Sequence, residues 1–270
     1  LSVSSNNNTL TNNNALYNDK NGIRLSRSSN NTITNNIASN NGDNGIYLYN
    51  SKNNTLTNNI ALYNYEDAGI YLEISNDNTL IGNNASYNYY NGGGEAYGIY
   101  LEDSSNNKLT DNIALYNYQG IRLDGSSDNN LIDNNASDND YQGIYLQSAS
   151  NNNNLTKNTA SNTEYGIEIF RSDNQILCSN NIQSNTKYGI NLYNSNNNIL
   201  RDNVIYNNTE SGVEVFNSDD NTIYNNFFNN TNNIGIDTRS TGNIWNITNT
   251  TGPNIVNGPY LGGNYWAHPN

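Results

Sequence analysis

The stretch Asn53-Asn54-Thr55-Leu56-Thr57-Asn58-Asn59-Ile60-Ala61, followed after seven intervening residues by Gly69-Ile70-Tyr71-Leu72, decides how the rest of the chain is read. Gly-Ile-x-Leu, or a close variant of it, recurs at Gly22, Gly45, Gly69, Gly98, Gly120, Gly143, Gly166, Gly189, Gly212 and Gly235. The steps between these glycines are 22 to 24 residues, with a single step of 29. A period held that tightly describes one supersecondary unit stacked on copies of itself, which is a solenoid.

The other columns follow from the same alignment. A serine column runs from Ser28, Ser51 and Ser75 to Ser218, and an asparagine column from Asn31, Asn54 and Asn78 to Asn221, with Gln175 as its exception. Two residues on comes a second apolar station, Leu10 and Ile33 through Ile223; a second asparagine column, Asn13 and Asn36 through Asn226, lies three further. A third apolar station begins at Ala15 and Ala38 and ends at Ile205 and Phe228. Segments of three to five residues are too short for helices, and Ile-x-Leu has the period of a strand. Each unit therefore holds three short strands separated by Asn, Ser and Gly turns. The expected fold is all-β: a right-handed, single-stranded parallel β-helix (β-solenoid) of about ten coils with three short parallel sheets, about 48 Å long at about 4.8 Å per coil. It spans residues 1–243, with 244–270 as a closing segment of the same domain. Asparagine suits the turns because it tolerates the left-handed region, and stacked amides can bond from coil to coil. The glycines supply either positive φ or room where a turn enters a strand.

Composition narrows the function. Asparagine supplies about a quarter of the 270 residues, apolar residues 34%, and there is no methionine. The formal charge is −13 with 11 Lys plus Arg, so a nucleic-acid partner, which needs a basic stripe, is not expected. No stretch approaches the 18 apolar residues of a membrane span. Cys178 stands alone, so no internal disulfide can form. The chain begins at Leu1 with no visible signal segment and is read as processed or excised from something longer.

The run Asn53 to Ala61 with Gly69 to Leu72 resembles the parallel β-helix repeats of the NosD-like group, within the wider class of carbohydrate-binding proteins and sugar hydrolases. Gly258-Pro259-Tyr260-Leu261-Gly262-Gly263-Asn264-Tyr265-Trp266 resembles the segment that closes such helices in archaeal cell-surface proteins. The resemblance implies a β-helix and an extracellular or cell-surface location, and leaves activity open, since the fold hosts lyases, hydrolases, adhesins and scaffolds. It also associates the NosD branch with copper delivery. Soft copper sites want Cys, Met and His, and this chain holds only Cys178 and His268, far apart in the repeat count.

Three features could carry chemistry. The outward position of the motif reads Tyr47, Tyr71, Tyr100, Arg122 and Tyr145 in successive coils, and Tyr17, Tyr63, Tyr87, Tyr116 and Tyr206 lie beside the third station. A run of exposed tyrosines is either good strand stacking or a surface for sugar rings or a flat partner. Glu73, Glu102 and Asp124 follow the motif leucine in consecutive coils, with Asp103 adjacent. Stacked carboxylates repel, so they need a cation, a raised pKa in one member, or water. Calcium is the metal that suits such an all-oxygen cluster, a paired acid and base would suit glycoside hydrolysis, and three solvated carboxylates are the plain alternative. Asp111, Asp133 and Asp202 read as surface. The long step places an insertion at Asn91-Gly92-Gly93-Gly94-Glu95, and insertions in solenoids often border the binding face. No catalytic residue is assigned, because no Ser-His or Cys-His pair can form in the repeat body; catalysis would fall to the acidic column.

Glycosylation sequons occur at Asn7, Asn30, Asn53, Asn84, Asn135, Asn154, Asn207, Asn229, Asn246 and Asn249. Asn7, Asn30 and Asn53 share one register. At the ends, Leu10 and Ala15 are expected to present an open core, inviting self-association or a flanking domain of a longer chain, while 244–266 folds over the last coil. The reading is a non-catalytic structural protein of the cell surface or an extracellular assembly, such as a surface-layer, sheath or filament subunit, carrying glycans. The alternatives are a carbohydrate-binding module using the tyrosine face, and a polysaccharide lyase or glycoside hydrolase.

Overall fold

Three parallel sheets wind around one apolar column, built one short strand per coil. The structure, a computed structural model, describes residues 4–89 and 94–267. The first sheet has ten strands, from Thr9–Thr11 to Thr222–Tyr224, and the second has ten, from Ile23–Ser26 to Ile234–Ile236. The third is a two-stranded piece at one end, Asn14–Leu16 with Ile37–Ser39, and a five-stranded piece at the other, from Thr159–Ser161 to Tyr265–Trp266. Single parallel bridges through Ile60, Asn84, Ile113 and Asn135 join the two pieces.

Register follows the repeat. Leu101 pairs with Leu72 on one side and Leu123 on the other, and Leu109 with Leu80 and Leu131. Each of these side chains is fully buried, as are Ala85, Ala114 and Ala136 at the third station. Small residues there keep the core thin. Burial of each Leu or Ile contributes roughly 1.5–3 kcal/mol.

Between sheets the chain turns by one device used repeatedly. A residue with positive φ, such as Asp133 at 55°, is followed by an inward asparagine, here Asn134, which is 1% exposed. In the coils between the ends the left-handed residue is thus the one before the ladder asparagine, not the ladder asparagine itself; Asp111, Asp133 and Asp202 occupy it. The amide of Asn134 accepts from Asn112 N and Nδ2 and donates to Leu109 O and Asn158 Oδ1, all at 2.9–3.0 Å. Gln175 fills its gap in the other ladder by accepting from Asn153 N at 2.9 Å and donating to Ser150 O at 2.7 Å. Ser150 also carries the serine column across its longest gap, bonding Ser126 N at 2.9 Å, despite one extra residue in that turn. A further ladder, absent from the sequence reading, runs Asn18, Asn41, Asn64, Asn88, Asn117 and Asn139, and a second run in the same column goes from Thr163 to Asn185, Asn208 and Asn230.

The motif glycines provide room, not positive φ. Among the described residues the glycines with positive φ are Gly82, Gly125, Gly242 and Gly252. At Gly120 an added Cβ would lie 2.5 Å from the Gly143 carbonyl oxygen and 3.0 Å from Ala136 Cβ. The glycine faces the core at the bend between sheets, so the residue before it and the residue two after it both face outward.

The closing segment joins the stack. Asn264 accepts from Asn226 N and Nδ2 at 3.0 Å, Tyr265 stacks on Phe227, and Trp266 lies 4.8 Å from Phe228 at 12°, over the last core layer. At the opposite end Leu10 and Ala15 are half-buried.

Candidate functional site: the outer face of the second sheet

The outward tyrosines form one continuous stack. Tyr47 and Tyr71 lie 5.1 Å apart at 15°, and Tyr71 and Tyr100 4.8 Å apart at 2°. Arg24 sits 5.3 Å over Tyr47 at one end. At the other, Arg122 sits 5.3 Å over Tyr100, 4.8 Å over Tyr97 and 5.8 Å over Tyr145. The ring faces are therefore taken by neighbours, an arrangement that favours both stacking and cation–π contact. The sequence reading took these tyrosines as exposed. Tyr71 and Tyr100 are instead buried, at 8% and 9%, because Ala68 and Tyr97, each just before its motif glycine, fold over them.

The acidic column finds donors inside the chain. The Tyr47 hydroxyl donates to Glu73 Oε2 and the Tyr71 hydroxyl to Glu102 Oε2, each one coil further along. Burial foremost, and these bonds next, raise both phenol pKa values. Asp124 accepts from Arg122 Nη2 at 3.2 Å and from Gln147. Arg122 Nη1 also donates to Glu95 at 2.9 Å and Tyr97 at 2.7 Å, while its Nε is buried without a partner. Asp103 lies in a turn at φ 46°. Calcium was one of three alternatives for this column; among the described residues no group of three or more His, Cys, Asp or Glu is placed to hold a metal ion. The tyrosine hydroxyls are a fourth solution to the repulsion, which the sequence reading did not weigh.

Further along, the sequence reading missed a buried amide relay. Gln119 Nε2 donates to Gln142 Oε1 at 2.6 Å, Gln142 Nε2 donates to Glu168, and Asn191 Nδ2 donates to Glu168 Oε1 at 2.8 Å. The readable signal was the residue preceding each motif glycine, where glutamine recurs in consecutive coils. Burial, the largest influence, pushes the Glu168 carboxyl up despite the two amides. A carboxyl raised in the fold stabilises it fully below the ordinary carboxylate pKa and loses that contribution as pH rises through the folded value. Glu168→Gln is therefore expected to melt at or above the wild-type temperature at pH 7, with the difference shrinking toward about pH 4. Thermal melts across that range check it; a variant advantage that grows toward acid would contradict it.

Of the insertion at 91–95, residues 91–93 lie outside the described residues. Its described end, Gly94 and Glu95, borders a cleft of about 470 Å³ shared with Tyr89, Tyr116, Tyr118 and Asp140. Cys178 is buried, its sulfur 3.7 Å from Asp202 Oδ2. Among the sequons, Asn7, Asn30, Asn53, Asn207, Asn246 and Asn249 are exposed, and Asn84, Asn135, Asn154 and Asn229 half-buried. Asn84 and Asn154 accept from their own sequon hydroxyls, Ser86 at 2.7 Å and Thr156 at 2.9 Å.

The family model described as periplasmic copper-binding protein (NosD) matches residues 1–95, 91–191 and 180–270. No curated protein matches the sequence. Among solved structures, similarity extends to the periplasmic alginate epimerase AlgG (14% identity, 91% of this chain and 61% of that one, TM-score 0.59). It extends also to the Dettilon tailspike protein gp208 (16%, 97% and 61%, TM-score 0.64) and to PfbA, a surface adhesin of Streptococcus pneumoniae (11%, 95% and 80%, TM-score 0.50). At such identities the likeness is one of fold, and the chain spans 61% of the length of the epimerase and of the tailspike. The described residues do not fit copper: Cys178 is buried beside a carboxylate, the chain has no methionine, and its one histidine, His268, lies outside them.

Proposed function

The chain belongs to the NosD family, and from that premise we propose that it is a non-catalytic β-helical rod working outside the cytoplasm, in the envelope or at the cell surface, with polysaccharide as its partner. The observation that carries this reading is the engagement of the second sheet's carboxylates. Glu73 and Glu102 hold tyrosine hydroxyls, Asp124 holds Arg122 and Gln147, and Glu168 holds two amides. Glycoside cleavage by the usual route needs one free acid and one free base flanking the bond; these groups serve the stack instead. The ladders that run the length of the coils make the unit stiff, which suits presentation of a surface. Among the described residues no helix is long and apolar enough to cross a membrane. A periplasmic epimerase and a surface adhesin share the fold, which supports a place outside the cytoplasm and a polysaccharide partner. Exposed Asn7, Asn30 and Asn53, one per coil in one row, would carry the rod's own glycans along a single side.

An array of soluble and immobilised polysaccharides tests the reading. Selective retention of the protein on one polymer class is the expected result. Retention on none would remove the polysaccharide partner from the account.

A further inference from the structure

Tyrosine is an odd choice for a left-handed turn, and this chain makes it four times in one column. Tyr17, Tyr63, Tyr87 and Tyr116 have φ of 57°, 56°, 58° and 56°. For a bulky residue that region is an outlier costing about 1 kcal/mol or more. The same position in other coils holds Asn40, Asp138, Asn162, Ser184 and Asn207, also with positive φ, so the turn itself does not require an aromatic ring. Tyr206, which the sequence reading placed with this set, belongs to the strand before it, and Asn207 takes the turn.

Three of the four occupy consecutive coils and form a short exposed stack. Tyr63 and Tyr87 lie 5.3 Å apart at 24°, and Tyr87 and Tyr116 4.6 Å apart at 19°, with Tyr116 49% exposed. Each heads a Tyr-Asn-Tyr triplet whose asparagine, Asn64, Asn88 or Asn117, is buried in a ladder. The outer tyrosines of the triplets, Tyr65, Tyr89 and Tyr118, therefore stand two residues along on the same corner. The stack differs from the one on the second sheet, which is capped by arginines at both ends. It stops at Tyr116, because the next coil carries Asp138, and there it meets the 470 Å³ cleft beside the insertion.

We propose that this corner, centred on Tyr87 and Tyr116 with Tyr89 and Tyr118 at the cleft, is the glycan site of the rod, and that it takes an uncharged polysaccharide. Rigid rings with polar tips suit sugar faces and hydroxyls at little entropic cost. The charge decides the class. Glu95 and Asp140 line the cleft and Asp138 lies on its approach, while Arg122, the cation nearest Glu95, also pairs with Asp124. A uronate polymer would meet net negative charge well within the Debye length of about 8 Å, whereas a neutral chain meets hydroxyl-bonding carboxylates and aromatic rings.

This inference rests on the polysaccharide reading, and its test separates the two. Wild type and the Tyr87→Asn/Tyr116→Asn double variant are titrated with a neutral glucan, mannan and galactan and with a polyuronate, and their melting temperatures are compared. The expected result is wild-type binding to a neutral polymer and not to the polyuronate, an affinity at least tenfold weaker in the variant, and an unchanged or higher melting temperature. Equal binding by both proteins, or binding of the polyuronate alone, overturns the site while leaving a polysaccharide partner intact. A variant that melts well below wild type makes the tyrosines structural and overturns the site as well. Binding to none of the polymers by wild type removes both.

Discussion

Asn134→Ala is expected to lower unfolding stability by roughly 2–4 kcal/mol, since the buried Asn112 N–H loses its acceptor and three further buried groups each lose one bond, and an unsatisfied buried group costs about 1–3 kcal/mol. The substitution leaves Asn112 N without its acceptor and takes the side-chain donor from Leu109 O, while Asn112 Nδ2 keeps Leu80 O and Asn158 Oδ1 keeps the backbone N of residue 134. Relaxation is restricted because neighbouring coils hold Asn112 and Asn158 in the same ladder. Asp133→Ala, one residue earlier in the exposed left-handed turn, strains a turn without opening the ladder and should cost about 1 kcal/mol. Urea unfolding of both variants checks the contrast. Equal small losses would make the ladder decorative.

Gly120→Ala carries the second large effect. The new methyl would sit 2.5 Å from the Gly143 carbonyl oxygen and 2.6 Å from Asn139 Nδ2. Both atoms belong to the next coil, so relief requires coils to separate and the further ladder to part at Asn139. Overpacking of this kind costs about 3 kcal/mol or more when backbone must move. Gly125→Ala is the informative partner: its φ is +57° at a turn, and its methyl would meet mainly the Asp103 carboxylate at 2.7 Å. That loss should stay near 1 kcal/mol. If the two variants unfold at the same urea concentration, the motif glycine is not there for room.

The period in Gly-Ile-x-Leu was enough to give three parallel sheets and their register, because a repeat leaves each residue paired with its own equivalent. Side-chain direction at bends was harder to read. The column from Asn18 to Asn230 is hard to read in the sequence because several members stand between outward tyrosines and one position is held by Thr163. The burial of Tyr71 and Tyr100 was illegible for a different reason. Strand alternation says which way a side chain leaves its sheet, and not whether Tyr97 folds across it. The hydroxyl-to-carboxylate bonds to Glu73 and Glu102 run diagonally between coils, and a column-by-column alignment cannot show a diagonal. The sequence placed Tyr63, Tyr87 and Tyr116 beside the third station, but their positive φ, which marks them as costly, is visible only in the backbone.

The central claim is that the rod holds a polysaccharide without changing it. The direct measurement is prolonged incubation of the protein with the polymer it retains, followed by proton NMR and sizing of the recovered polymer. The account predicts unaltered anomeric signals, no new reducing or unsaturated ends, and an unchanged chain length. New anomeric resonances or shortened chains that scale with protein concentration, and vanish in Glu168→Gln or Glu102→Gln, would contradict it and make the engaged carboxylates catalytic after all.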